Sequence, residues 1–474
     1  MAALGRRELL VGTAALVAAT ATGCRGSDEA SDANDRERQD MTSSTTTSAD
    51  PATLAENAFL AGFPLVTTVR TMQTFAGLIG VNRLFVTPGL VDPASRLVVA
   101  PNRDTVYALA VLDLRAGPQV LSLPEIGDRY HVVQLLDAWM GGFGLLGTRA
   151  TGGRAGSWAV VPPGYDGPVP GGADRLECPT NQAFLLGRIR AVDDADAAEA
   201  VAIGRRWRLR ALGDDASGRT PDMPRPPGTP QTVGSNGAAF FDELGDALAV
   251  NPPVTDEQRA AIDAAAPLGI GPGGHPAREN GGEGDDRRAL ERGVEAGMDD
   301  LQDRDGVPTR NVNGWAVNLD LGTPETDRGL KERAIVARYF WGPVPAEEAV
   351  YPRATGDRDG HPLDGRDGQR YRIHFAPGGL PPVEAFWSLT VYGQDMFLVP
   401  NEAGRYSLSG DTPGLVRNDD GSLDVYLQHD PPPTNEANWL PVPAGPFTVI
   451  MRLYLPGEPV LDGTYDYPPI TVVG

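Results

Sequence analysis

Two blocks of this chain alternate apolar with other side chains at a period of two and are cut at short intervals by turn residues, which constrains the fold more than any other feature. In the first, DTVYALAVLDL (104–114) sets Val106, Ala108, Ala110 and Leu112 on one face. RYHVVQLLDAW (129–139) alternates Val133, Leu135 and Asp137 with Val132, Gln134 and Leu136. RAGP, EIGD, TGGRAG and PPGYDGP separate the runs, and no helical pattern between them is long enough for a parallel crossover. An antiparallel sandwich is therefore expected, closed by AFLLGRIRAV (183–192). The second block carries RYRIHF, AFWSLTVYG, SLDVYLQHD and FTVIMRLYLP, bounded by Gly, Pro and Asn, and predicts a second sandwich.

Between the blocks the period changes. DDADAAEAVAIGRRWRLRAL opens on Asp and ends on Arg, matching a helix dipole, and GAAFFDELGDALAV, DEQRAAIDAAA and GDDRRALERGVEAGMDDLQ repeat helical spacing. A further helical run, 52–81, is interrupted at Pro64 and reads as a broken helix packed on the region C-terminal to it. With 474 residues the chain exceeds one ordinary core. The expected units are a β-sandwich with its leading helix (51–192), a helical insertion (193–310) and a second sandwich (311–474).

The N-terminus reads as an address. Arg6-Arg7, an apolar stretch and small residues lead into Cys24, which resembles a twin-arginine export signal ending in a lipobox (1–24). Gly5, Leu9 and Ala21 depart from the usual forms of those motifs. Residues 25–50 are almost devoid of apolar side chains and are expected to be a disordered tether. The expectation is an exported protein held by lipid at Cys24 on the extracytoplasmic face of the cell envelope. Cys178 then has no partner for a disulfide and is expected to be a buried core residue. The formal charge of −22 argues against nucleic acid as a partner. The single lysine, Lys331, lies in a charged run expected to face solvent.

PNRDTVYALAVLDLRAGP, RYHVVQLLDAW, GTRATGG and CPTNQAFLLGRI together resemble the domain-of-unknown-function family 1254. NGWAVN, AVYPRATGDRDGHPLDG, PPVEAFWSLTVY and TPGLVRNDDGSLDVYLQHDPP through NWLPVPAGPF resemble its usual partner, family 1214. The resemblance spans about residues 55–190 and 311–474. It implies a mainly β chain: an immunoglobulin-like sandwich, a helical segment and a jelly-roll-like sandwich. It implies no reaction, so function rests on the site.

Two stretches offer sites. In PNRDTVY, Arg103 and Asp104 adjoin at a strand entry, so their side chains point to opposite faces and each needs a partner elsewhere. Asp137 is a candidate partner for Arg103. A polar turn explains the stretch structurally. Functionally, Arg103 with Tyr107 and Arg149 would form a fork for an anionic or polyhydroxylated ligand. In VYLQHDPPPTNEANWLPVPAGPF (425–447), His429 ends the apolar row Leu423, Val425, Leu427 and is expected to be at least half buried. It should bond a backbone carbonyl or a carboxylate, with Trp439 covering the same end. A well-built turn explains this stretch too. The functional alternative makes His429 a general base, with Asp430 or Asn438 beside it and Trp439 or Trp387 as a stacking wall.

GDRDGHPLDGRDG (356–368) has acidic spacing without the order of a calcium loop, so two successive turns are expected there. Zinc-protease, thiol-redox, phosphate-loop and serine-hydrolase motifs are absent from the sequence. No metal or cofactor is expected. Two functions stay open: a binding or structural module for a small molecule or surface polymer, and an enzyme using Asp104, Arg103 and His429 or Asp430 in acid–base chemistry on an extracytoplasmic glycan or ester.

Overall fold

The computed structural model describes residues 50–473 except 97, 213–222, 280–283, 303–306 and 323–326. Cys24 and the tether lie outside the described residues. Among the described residues the strands fall into four sheets. The first runs in the order Phe85–Val86, Thr105–Asp113, Gln182–Arg190, His131–Asp137 and Gly142–Gly147. It faces a sheet ordered Ala173–Glu177, Gly156–Val161, Gln119–Leu123 and Arg208–Ala211. Val106, Ala108, Ala110 and Leu112 meet Leu121, Leu123, Trp158 and Val160 between the two sheets, as the alternation predicts.

Two details differ from expectation. Gly156–Val161 pairs with Ala173–Glu177 in parallel, and Leu423–Gln428 pairs with Trp439–Pro441 in parallel, so neither sandwich is wholly antiparallel. The run expected to be one helix after residue 193 is helical only over Ala197–Gly204; Arg208–Ala211 then turns back to pair with Gln119–Leu123. Trp207, sealed in the sandwich core, anchors that return.

The second sandwich sets Arg310–Val312, Trp315–Val317, Arg353–Ala354, Phe447–Pro456, Val383–Gly393 and Ser407–Ser409 in one sheet, with Ala349–Val350 also on Phe447–Pro456. Its partner sheet is Trp439–Pro441, Leu423–Gln428, Arg370–Phe375 and Ile470–Val473. Trp387, Leu389 and Val391 from one sheet pack against Tyr371, Ile373 and Val425 from the other.

Pro51–Ile79 is one continuous helix, and Pro64 does not break it. The ring removes one backbone hydrogen bond, at a cost of roughly 3 kcal/mol. Near-complete burial from Ala58 to Met72, around Pro64, holds the helix together regardless. Its neighbours are the helices Asp285–Asp300, Leu330–Tyr339, Asp256–Ala264 and Ala239–Val250. Gly293 and Gly297, one turn apart, let the helix Asp285–Asp300 lie close against it. A Cβ on Gly293 would lie 2.5 Å from the Cβ of Ala55, and one on Gly297 would enter the Phe59 ring. The outer face of the first sheet, with Leu109, Val111, Leu136, Phe184 and Leu186, closes this helical core.

Within the first sandwich His131 is buried, with Nδ1 3.1 Å from the Arg129 carbonyl and its ring edge-on to Trp207. Burial lowers its pKa, and the Arg129 carbonyl offsets this only in part. The folded state therefore resists protonation, whereas an unfolded chain takes the proton near pH 6.5. This group's contribution to stability is complete above about pH 6.5 and falls as the pH drops from there towards the lower folded-state value. Melting curves between neutral and mildly acid pH should show a steeper loss in the wild type than in His131→Leu; parallel curves would contradict it.

Candidate functional site

The strand Gln182–Arg190 carries two faces with different destinations. Ala183, Leu185 and Ile189 enter its own sandwich core, while Phe184, Leu186, Arg188 and Arg190 point outwards. Phe184 and Leu186 meet the helical core. Arg188, opposite Tyr107 in the ladder, and Arg190, opposite Thr105, continue the same face towards the second sandwich. There the ladder pairs Phe386 with Tyr454 and Ser388 with Arg452. Trp387, Leu389, Met451 and Leu453 fill that sandwich's core, so the residues alternating with them turn to meet the first sandwich.

The result is a polar seam between two buried sheet faces. The Asp104 carboxylate, 2% exposed, accepts from Ser388 Oγ at 2.5 Å and Ser407 Oγ at 2.6 Å, with Arg190 at 3.8 Å. Arg190 also donates to Ser409 Oγ at 3.0 Å and Asp411 at 3.3 Å, and its guanidinium lies 3.9 Å above the Phe386 ring. Arg452 donates to Thr390, Tyr392 and the Ala100 carbonyl. Glu348, 1% exposed, accepts from Tyr130 at 2.7 Å and from Arg149 at 2.8 Å.

Arg188 differs from these. It is 8% exposed, no carboxylate among the described residues pairs with it, and its hydrogen-bond partner is Gln134 Oε1 at 3.3 Å. Tyr351, Tyr454, Tyr107 and Tyr130 are its electrostatic neighbours. Burial raises the pKa of Tyr107 and takes Tyr130 and Tyr454 well above the ordinary phenol value, so at neutral pH these hydroxyls keep their protons.

Residues 81–211 match the family of proteins of unknown function DUF1254, and residues 348–458 match the protein family of unknown function DUF1214. The chain carries both domains, in that order. Solved structures similar to it include the VPA0106 protein from Vibrio parahaemolyticus, at 23% identity and a TM-score of 0.67, covering 90% of this chain and 100% of that one. An uncharacterized protein from Burkholderia cenocepacia matches at 13% identity and a TM-score of 0.43, over 89% and 94% of the two chains. The first likeness establishes a shared fold and nothing further. No curated protein matches the chain.

The seam lies between the DUF1254 and DUF1214 domains and gathers one group of the expected residues. Tyr107 and Asp104 line it, and Arg149 enters it through Glu348. Arg103 leaves in the other direction and pairs with Asp194 at 2.6 Å, 5.6 Å from the Tyr406 ring. Asp137 is not its partner: that carboxylate accepts from the backbone N–H groups of Trp139 and Gly141 and shapes the turn there.

The second group does not join the first. His429 is exposed, 55% for its side chain, because the strand ends at Gln428 and the alternation that buries Leu423, Val425 and Leu427 stops with it. Its Nδ1 lies 2.9 Å from the carboxylate of Asp430, itself exposed. The expected bond to a carboxylate is present; the expected burial is not. Trp439 is buried and donates to the Gln428 carbonyl at 2.8 Å. Asn438 holds the backbone of Val416 and Asp424, and Trp387 packs on Phe375 in the DUF1214 core. No hydrogen bond, ion pair or ring contact links His429 or Asp430 to Arg103 or Asp104.

The acidic 356–368 stretch forms a turn in which Asp357 Oδ1 accepts from the N–H groups of Asp359 and His361. Donor atoms of these three side chains lie within 4.8 Å of one another, yet the hydrogen bonds of Asp357 already account for its place. Cys178 is buried, and burial pushes its thiol up to about 12. Sequence reasoning missed Arg188, Arg190, Arg452, Tyr351, Tyr454 and Glu348. The signal was present: AFLLGRIRAV and FTVIMRLYLP embed isolated arginines in strands otherwise apolar enough to be buried.

Proposed function

We propose that this chain is an exported, lipid-anchored extracytoplasmic binding module whose ligand enters the seam between its DUF1254 and DUF1214 domains. One observation carries the reading: Arg188 is nine-tenths buried without a carboxylate partner, in a seam where Asp104 and Glu348 are already engaged. A buried cation left unpaired costs stability, and proteins keep such costs where a ligand compensates them. The burial of Arg188 between two sheet faces favours a small molecule, or the end of a surface polymer, over an extended surface. Export and lipidation rest on the sequence around Cys24; among the described residues no helix is long and apolar enough to cross a membrane.

The acid–base alternative loses support from the placement of His429. A general base must reach the proton that it removes, and His429 has Asp430 as its neighbour with no contact to Asp104 or Arg103. Screening the purified mature protein against metabolite and glycan mixtures tests the proposal. A ligand found in this way should still bind to His429→Gln and be lost from Tyr351→Ala. Turnover of that ligand, or loss in His429→Gln alone, would overturn it. For the anchor, Cys24→Ala should release the protein from the membrane fraction and remove the lipid mass; unchanged association and mass would sink that claim.

A further inference from the structure

The donors and acceptors around Arg188 do not balance. Gln134 takes one guanidinium N–H, and no protein acceptor among the described residues takes the others. The Tyr107 hydroxyl accepts from the Asn102 N–H at 3.2 Å and the Tyr454 hydroxyl accepts from Asn102 Nδ2 at 2.5 Å, which leaves both phenol protons without an acceptor. The Tyr351 hydroxyl, half-buried, has no hydrogen-bond partner among the described residues. The nearby carboxylates are turned to other donors, Glu348 to Tyr130 and Arg149 and Asp104 to two serines. Unlike Arg190 Nε, the unpaired Arg188 groups are not fully sealed, and the residue as a whole is 8% exposed.

A cluster of unpaired donors around a guanidinium calls for a group that only accepts and that carries negative charge. We infer that Arg188, with the hydroxyls of Tyr107, Tyr351 and Tyr454, holds the oxyanion of a small ligand. This rests on the reading of the seam as a ligand site. One unpaired guanidinium matches one negative charge, which favours a carboxylate over a phosphate dianion. Tyr351, only partly buried and edge-on to Tyr454 with 6.0 Å between centroids, offers a flat apolar body an aromatic side to pack on. Arg452 is excluded as the anchor because Thr390, Tyr392 and Ala100 already occupy it. The site stands out in a chain of net charge −22, whose overall field does nothing to attract an anion.

Calorimetric titration of the mature protein with benzoate, its neutral isostere benzamide, acetate and inorganic phosphate tests the inference. Benzoate should bind, acetate more weakly, and benzamide at least about tenfold more weakly than benzoate, the scale of one charge-assisted hydrogen bond. Arg188→Gln should remove the preference for benzoate over benzamide, and Tyr351→Phe should weaken benzoate without lowering the melting temperature. Phosphate binding more tightly than either carboxylate would overturn the carboxylate assignment while leaving the oxyanion site. Equal binding of benzamide and benzoate, full benzoate affinity in Arg188→Gln, or no binding of any of the anions would overturn the inference itself. The seam reading falls separately, if ligands from the metabolite screen bind Tyr351→Ala as they bind the wild type.

Discussion

Asp104→Ala is expected to destabilise the protein by about 3 to 5 kcal/mol, the scale of breaking a buried charge pair by removing one partner. Two serine hydroxyls lose their acceptor, and Arg190 loses its buried counter-charge at 3.8 Å. Arg190 retains Ser409 and the more exposed Asp411, which places the effect towards the lower end of that range. Asp104 belongs to the DUF1254 domain, whereas Ser388 and Ser407 belong to the DUF1214 domain, so the substitution also loosens the seam. Calorimetry should show a lower first transition and a wider separation between the unfolding of the two domains. Asp104→Asn, which keeps an acceptor for one serine, should cost less. A loss of under about 1 kcal/mol for Asp104→Ala, the scale of an exposed pair, would show that the seam tolerates a missing carboxylate.

Phe59→Ala should cost a similar amount, about 3 to 5 kcal/mol, by a different route. Phe59 is sealed in the long helix, with its ring 4.5 Å from Phe240 and 5.5 Å from Phe63, and the helix Asp285–Asp300 closes on it through Gly297. Removing the ring leaves a cavity that glycine cannot fill and that two packed helices close only by shifting. Denaturant unfolding followed by helical circular dichroism is the measurement. An effect below about 1 kcal/mol would mean that the helix Pro51–Ile79 is a peripheral element rather than the axis of the helical core.

The strands were legible because period-two alternation survives even where both faces are buried. Val106, Ala108, Ala110 and Leu112 enter the sandwich, yet Leu109 and Val111 enter the helical core on the other side. What alternation cannot reveal is which outer face meets which neighbour, and that pairing builds the seam. Arg188 and Arg452 come from strands more than 250 residues apart, and no local pattern links them. Pro64 misled because the local cost of a proline is outweighed by burial that only the assembled helices supply. His429 misled because the alternation was extended one residue past the end of its strand. Asp104, Tyr107 and Arg149 were found from short polar stretches at strand ends, where a chain that buries its strands must still place its charges.

A seam built for a ligand at some expense in stability should reveal itself most directly in the melting temperature of Arg188→Met in anion-free buffer. Methionine keeps much of the volume and removes the unpaired buried charge, so the expected melting temperature equals or exceeds that of the wild type, in contrast to the large drop from Asp104→Ala. A drop for Arg188→Met as large as that for Asp104→Ala would make Arg188 a structural strut and contradict the assignment of the seam as a ligand site.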